Sequence, residues 1–581
     1  MKKLLTIIVA LMPLMASAQQ SMNLSVDSAG TLTKQIADSV KFKISELKVS
    51  GPLNGADLKL IQQIVNRNSV KKNSNDCLVE VVDLSEATIV EGKEGMRTQA
   101  NTLPNGMFSG AKSLVRATLP STLTTVSRNC FDNCAALAEV TIPESVTTIG
   151  SNAFSDCTAL AEIKLPQNLT TIDDDAFEGC TALKAIEIPA TVTELGNDVF
   201  EGCTALASAN IQGKISRIGN DLFKGCTALT EFTAPETVKS VGIDAFRDCK
   251  SLRTITLPDN LDEVGNSAFE DCAALENLEI SAVGKIGSNA FEDCSSLAEL
   301  ELEKVKKLGN GAFKNCNSLR KFSLSGEVTE IGTNMFFGCS NLKEVTLPSG
   351  VKQIGTNAFE NCQSLKEIDL PQALTKLGDD AFKNCTSLKQ ITIPNQVKSI
   401  GSSTFENCGS LDSVQILGTV SEIEKATFRT CHSLRHIALP VGVKKIGTKA
   451  FEGCTSLQSI TLPITLSSIG DDAFAKCATL TQMTIPAAVT EIGSDTFSEC
   501  SALESVVLPV SLKKIGGGAF EKCVSLRNVT LNCPNPPSIS KSTFKDVVMA
   551  ACKFTIPKGC KPLYHNEKQK QWMKIQLTER Y

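Results

Sequence analysis

Apolar positions along this chain recur in a fixed cycle. One stretch carries Phe154, Cys157 and Leu160, then Ile163-Lys164-Leu165-Pro166, then Leu169 and Ile172. Another carries Phe359, Cys362 and Leu365, then Ile368-Asp369-Leu370-Pro371, then Leu374, Leu377 and Gly378. The Ile-x-Leu step alternates with period two and stops at proline, which predicts a strand of about three or four residues. The second apolar pair closes at glycine. Gly150, Gly242, Gly355 and Gly516 each stand four residues before a leading Phe, as expected of a turn that needs positive φ or close backbone packing. Asp173 stands in place of that glycine before Phe177 and Glu424 before Phe428; Asp173 suits the same turn, and Glu424 marks a local change of turn. The residues around the Phe, such as Thr356 to Cys362, suit one short helical turn.

The leading Phe falls at 108, 131, 154, 177, 200, 223, 246 and 269, then at 291 and 313 after two 22-residue steps. It resumes at 336 and returns every 23 residues to Phe520, with a degenerate last marker at Phe544. A coil this short cannot enclose its own apolar side chains. It buries them only by leaning on its neighbours, so the pattern predicts a stacked solenoid with parallel short strands about 4.7–4.9 Å apart.

The chain has 23 Cys, of which 18 stand three residues after a marker Phe, from Cys134 to Cys523. Thiols repeated in the same orientation do not present the dihedral a disulfide needs, so a column of reduced, buried thiols is expected. Cys552 with Cys560 is the most plausible disulfide.

Both ends leave the period. Residues 1–18 carry Lys2 and Lys3, a short apolar stretch and Ala16-Ser17-Ala18, the order of an export signal with its cleavage site. Residues 19–100 are expected to form an N-terminal cap, with strands over Ile44–Val49 and Leu78–Leu84 and a helix over Asp57–Val65 opened by Asp57. Residues 101–547 form the array of about 19 units. Residues 548–581 form a C-terminal cap, with a strand at Lys553–Pro557 and a polar helix from Glu567 to Leu577 that packs Trp572 inward.

The recurring Phe-x-x-Cys-x-x-Leu-x-x-Ile-x-Leu-Pro-x-x-Val-x-x-Ile-Gly resembles the BspA-like branch of the leucine-rich repeat family over roughly residues 104–545. That resemblance implies a right-handed solenoid, mainly β with short helical turns, whose parallel sheet lines the concave side. It also implies a bacterial surface or secreted protein, of a kind several of whose members act in adhesion. It supplies no catalytic residues.

Composition narrows the function. The net charge is −5, and −7 once Lys2 and Lys3 are removed, which disfavours nucleic acid as a partner. No segment after the signal is apolar over the ~18 residues of a membrane helix. His432, His436 and His565 are the only histidines, and Cys431, His432 and His436 need not converge on a metal. Gly516-Gly517-Gly518 lacks the Lys-Ser or Lys-Thr of a phosphate loop. No catalytic constellation, cofactor or metal is expected. Tyr564, Trp572 and Tyr581 are the only Tyr and Trp, so the array lacks the aromatic platforms of a sugar groove.

The outward strand positions carry mostly Thr, as β propensity favours. The charged departures Glu299, Glu301, Lys321, Glu344, Glu367 and Asp369, together with the outward Thr392, are the candidate binding residues. A row of lysines after the second apolar position, including Lys306, Lys352, Lys376, Lys445 and Lys514, is expected to be a solvated face. The reading is an exported, monomeric, non-catalytic scaffold, at the cell surface, secreted or in the periplasm. It binds a protein ligand of a host or neighbouring cell through the concave strands. The alternative is a polysaccharide-binding or nutrient-handling surface protein.

Overall fold

The computed structural model describes residues 20–67, 78–259, 261–280 and 282–580. The signal segment and Cys77 lie outside the described residues. The chain forms two compact units, divided between Leu229 and Thr230.

In the first unit, Gln20–Ser25, Ile44–Leu53, Val81–Asp83, Arg116–Thr118 and Glu139–Thr141 pair in that order as parallel neighbours. The end region thus joins its strands directly to those of the repeats. The expected helix here spans Gly55–Val65 and is opened by Asn54, not Asp57. Asn54 accepts from the backbone N–H of Ala56 and Asp57, while Asp57, three residues on, accepts from the N–H of Asn54. This reciprocal cap fixes the helix start. The Asp57 carboxylate also accepts from the N–H groups of Gly30 and Leu32, which ties down the preceding loop.

Each regular coil carries a first strand, a two-residue second strand and a turn segment. Second strands at Thr125–Val126, Thr148–Ile149, Thr171–Ile172 and Glu194–Leu195 form one parallel sheet. Pairing is in step with the sequence period, as in Thr148↔Thr171. The first-strand sheet is interrupted, because residues 161–166 adopt no regular strand.

The second unit repeats this plan from Glu231–Thr233 to Leu577–Glu579. The coil between Phe291 and Phe313 spans the second of the two 22-residue steps. The segment Glu299-Leu300-Glu301-Leu302-Glu303-Lys304-Val305 lacks the strand-ending proline, so the strand runs on for 7 residues. It then shifts register against Lys321–Gly326 between Leu302 and Val305. Residues 366–371 interrupt the first-strand sheet here.

The segment around the marker Phe is a chain of turns, not the expected helical turn. Asn357, Phe359 and Asn361 donate their N–H groups to Asp379, Ala381 and Lys383 of the next coil, at 2.8–2.9 Å. The residues between them bond locally, Glu360 to Asn357 and Cys362 to Phe359. Sending alternate N–H groups to a neighbour forces alternate residues into the left-handed region, with φ 55° at Asn357 and 65° at Asn361. Asn, Asp and Gly tolerate that region best, and they dominate these two positions, as with Asp380 and Gly338. The glycine four residues before the Phe acts differently. Gly355 keeps an ordinary φ, but a Cβ there would lie 2.8 Å from the backbone of Gly332. Of the two roles expected for it, close packing is the one the structure uses.

Within each unit the marker rings stack face to face. Phe131 and Phe154 lie 5.3 Å apart, as do Phe451 and Phe474. Beside the rings stands the thiol column. Cys134 to Cys226 in the first unit, and Cys272 to Cys523 in the second, each donate Sγ–H to the carbonyl of a marker Phe 25 or 26 residues back, at 3.0–3.3 Å. The described cysteines are all buried free thiols, Cys552 and Cys560 included, so the disulfide expected there is not formed. Burial pushes the thiols of Cys339 and Cys454 up to about 12.

At the C-terminus, Lys553–Ile556 pairs with Asn528–Leu531, and Leu577–Glu579 closes the sheet. The polar helix expected over 567–577 is instead two short 3-10 turns, Glu567–Gln569 and Trp572–Lys574. Trp572 packs inward as expected, with no exposed surface, and donates Nε1–H to the Pro537 carbonyl at 2.7 Å.

Candidate binding surface

First strands present alternate residues to solvent. In the second unit, Glu299–Val305, Lys321–Gly326 and Glu344–Thr346 form one parallel sheet. Its register sets Glu299, Lys321 and Glu344 in one row and Glu301, Ser323 and Thr346 in the next. Leu300 and Phe322 between them turn into the core. The four charged side chains are therefore exposed on the outer face.

Glu299 and Glu301 also line an open hollow of about 480 Å³ together with Glu236, Asp259 and Glu279. Its apolar lining comes from Leu257, Pro258, Leu278, Ile280 and Leu300. Thr256 holds Glu279 by donating its hydroxyl at 2.9 Å. Five carboxylates from four successive coils thus converge over one shallow, partly apolar depression, which focuses negative potential there. Glu236, Asp259 and Glu279 were not among the residues selected from the sequence. Glu236 and Asp259 follow a strand-ending proline, so the signal lay in the column beside the one that was read.

The other candidates fall elsewhere. Glu367 and Asp369 are exposed, but they sit on the segment without a regular strand. Thr392 is exposed on a separate sheet that starts at Gln390–Ile393. The seven residues are thus spread over a sheet, a gap and a second sheet.

In the lysine row, Lys376, Lys445 and Lys514 lie on second strands and Lys306 and Lys352 just before them, and cross-strand glutamates answer part of it. Lys445 pairs with Glu422 and Lys514 with Glu491, in directly facing registers. Exposed pairs of this kind contribute roughly 0–1 kcal/mol each.

Among the described residues, no group with metal-ligand spacing includes a histidine. His432 bonds through Nδ1 to the Gly453 carbonyl, His436 to the Ser459 hydroxyl, and Cys431 points to the Phe405 carbonyl. One acidic group has the spacing of metal ligands among the described residues: Asp198, Glu201 and Asp221, in the first unit. The Lys224 ammonium already lies 3.0 Å from Glu201 and 2.9 Å from Asp221. Burial, the Glu201 carboxyl hydrogen-bonded to it and the charge of Asp221 raise the Asp198 carboxyl to about 7.

A family model for the BspA-type leucine-rich repeat region matches residues 101–230, 216–339, 306–435 and 421–549. The chain belongs to the BspA-type leucine-rich repeat family. Proteins with BspA-type repeats include bacterial surface proteins. A leucine-rich repeat protein from Bacteroides ovatus is 23% identical, with 84% of this chain and 90% of that one covered and a TM-score of 0.28. A leucine-rich cell surface protein from Faecalibacterium prausnitzii is 26% identical over 57% of this chain and 86% of that one, with a TM-score of 0.33. The pneumococcal vaccine antigen PcpA is 14% identical over 96% of this BspA-type chain and 90% of its own, with a TM-score of 0.24. No curated protein matches the sequence. Among the described residues, no helix of this BspA-type protein is long and apolar enough to cross a membrane.

Proposed function

We propose that this protein is an exported, monomeric, non-catalytic scaffold of the bacterial cell surface that holds a host or neighbouring-cell protein on its first-strand face. The observation that carries the reading is the hollow lined by Glu236, Asp259, Glu279, Glu299 and Glu301. A shallow, open depression with apolar lining and a carboxylate rim suits a basic protein segment better than a small substrate. Lys321 and Glu344, on the same sheet, extend the contact area. Export rests on the N-terminal signal pattern, and adhesion on the likeness of the repeats to those of surface proteins.

A polysaccharide would need exposed rings on which to stack. Tyr564 and Trp572 are both wholly enclosed in the C-terminal end of the stack, which removes that support.

The test is capture of cell-surface proteins by the mature chain, followed by titration of the partner recovered. Saturable binding that weakens as salt rises is expected. Replacing Glu279, Glu299 and Glu301 by Lys should weaken it by at least about tenfold. Equal binding by that triple variant, with its fold intact, would count against the hollow.

A further inference from the structure

The residue after the strand-ending proline is polar in most coils, as with Glu144, Gln167, Glu236, Ser349, Gln372 and Asn395. In four consecutive coils of the second unit it is apolar: Val441, Ile464, Ala487 and Val510. These side chains are not core. Val441 is 83% exposed, Ile464 89% and Val510 60%. A single exposed aliphatic residue needs no explanation, but a run aligned coil upon coil makes a contiguous stripe. On the strand side it is bordered by the uncharged Ala438, Thr461, Thr484 and Val507.

We infer that this stripe is a docking track for an amphipathic α-helix of a partner protein, laid along the stack, with acidic residues flanking its apolar face. Spacing is the first argument. The stripe runs between first-strand and second-strand ladders, paired as in His436↔Ser459, Lys445↔Ser468 and Glu491↔Lys514, whose parallel neighbours step by about 4.7–4.9 Å per coil. An α-helix advances about 5.4 Å per turn, so four turns stay within about 2 Å of four successive coils. An extended segment presents same-face residues every ~6.6–6.8 Å and falls out of step within three coils. Charge is the second argument. Lys444 and Lys513 stand three residues past Val441 and Val510, exposed at the two ends of the stripe, with Ser467 and Thr490 between them. Neither lysine forms an ion pair among the described residues, whereas the adjacent Lys445 and Lys514 are answered by Glu422 and Glu491. Area is the third. The stripe offers roughly a few hundred Å². A stable dimer needs about 800 Å² on each partner, so a second copy of this chain is not the occupant.

This inference goes beyond the acidic hollow and occupies a different set of coils, so either can fail alone. The probe is a labelled synthetic helical peptide of about 15 residues, four turns, with one Leu per turn on one face and Glu on one flank. It is titrated by fluorescence polarisation against the mature chain. Saturable binding is expected, at least about tenfold stronger than for a scrambled peptide of the same composition. Val441→Asn with Ile464→Gln, which restores residue types used at this position in other coils, should abolish that advantage without altering unfolding. Lys444→Glu with Lys513→Glu should reverse the preference towards a Lys-flanked peptide. The Glu279, Glu299 and Glu301 replacements should leave it unchanged. The inference is overturned by equal binding of the scrambled peptide, or by equal binding to the Val441/Ile464 variant. It is also overturned if that variant dissociates a concentration-dependent dimer of the wild-type chain. A fourth overturning result is stripe-dependent binding to phosphatidylglycerol vesicles with none to the peptide.

Discussion

Replacing Cys362 separates two accounts of the thiol column. The side chain has no exposed surface, and its Sγ lies 3.2 Å from the Phe336 carbonyl. That carbonyl already accepts the Cys339 N–H at 3.1 Å, so removing the thiol does not orphan it. Cys362→Ala therefore loses about 0.8 kcal/mol for one buried methylene-sized group, plus a cavity contribution. The expected cost is about 1–2 kcal/mol. Cys362→Ser keeps a donor, but its shorter bond sets the hydroxyl farther from the carbonyl than the thiol was. A poorly bonded buried hydroxyl costs roughly 1–3 kcal/mol, so Ser should be no more stable than Ala. Stacked repeats need not unfold in one step. Denaturant melts should therefore be paired with amide exchange across the coils from Phe336 to Cys385. Native-state alkylation supplies an independent reading, since burial raises the thiols far above the pH at which thiolates attack. Ser exceeding Ala by more than about 1 kcal/mol would show that the hydrogen bond governs the position. Rapid native alkylation at Cys362 would refute its burial.

Asp198→Asn tests the crowded carboxylates of the first unit. A raised carboxyl means that the folded chain holds its proton more tightly than the unfolded chain does. The penalty from Asp198 is therefore absent at acid pH and grows as pH rises from the ordinary carboxylate range towards about 7. Thermal melts should show the variant gaining over the wild type at pH 8 and not at pH 4. Asn384, at φ 61°, bonds to Asn361 and accepts from Asn407 in an amide ladder, so Asn384→Ala should cost about 1–2 kcal/mol in denaturant titrations, and Asn384→Gly less. Trp572→Ala should cost about 3–5 kcal/mol and raise amide exchange first around Phe544 and Phe554, whose rings it meets edge-on.

The stacked coil was legible because one period sets every apolar position, from Phe108 to Phe520, and stacking is the only way to bury them. The turn segment was misread because Thr356 to Cys362 carries no sign that its N–H groups leave the coil. Asn357 and Asn361 were the available clue, since both residues tolerate positive φ. Asn54 was passed over for Asp57 because both can cap a helix; only the backbone shows which one stands outside it. At the candidate surface, Glu299 and Glu301 were found from their own column. Glu236 and Asp259 were not, because closeness across coils depends on which two columns the backbone folds side by side.

The turn segment has a consequence for chain length. Within either unit, each coil passes N–H groups forward and receives the same pattern from behind, and its ring and thiol meet identical partners. An in-frame duplication or deletion of one whole 23-residue block therefore recreates the junction it cuts, whereas a change of a few residues breaks it. Copy number is free to vary at little structural cost, and reach can be tuned separately from the chemistry that any one rung displays.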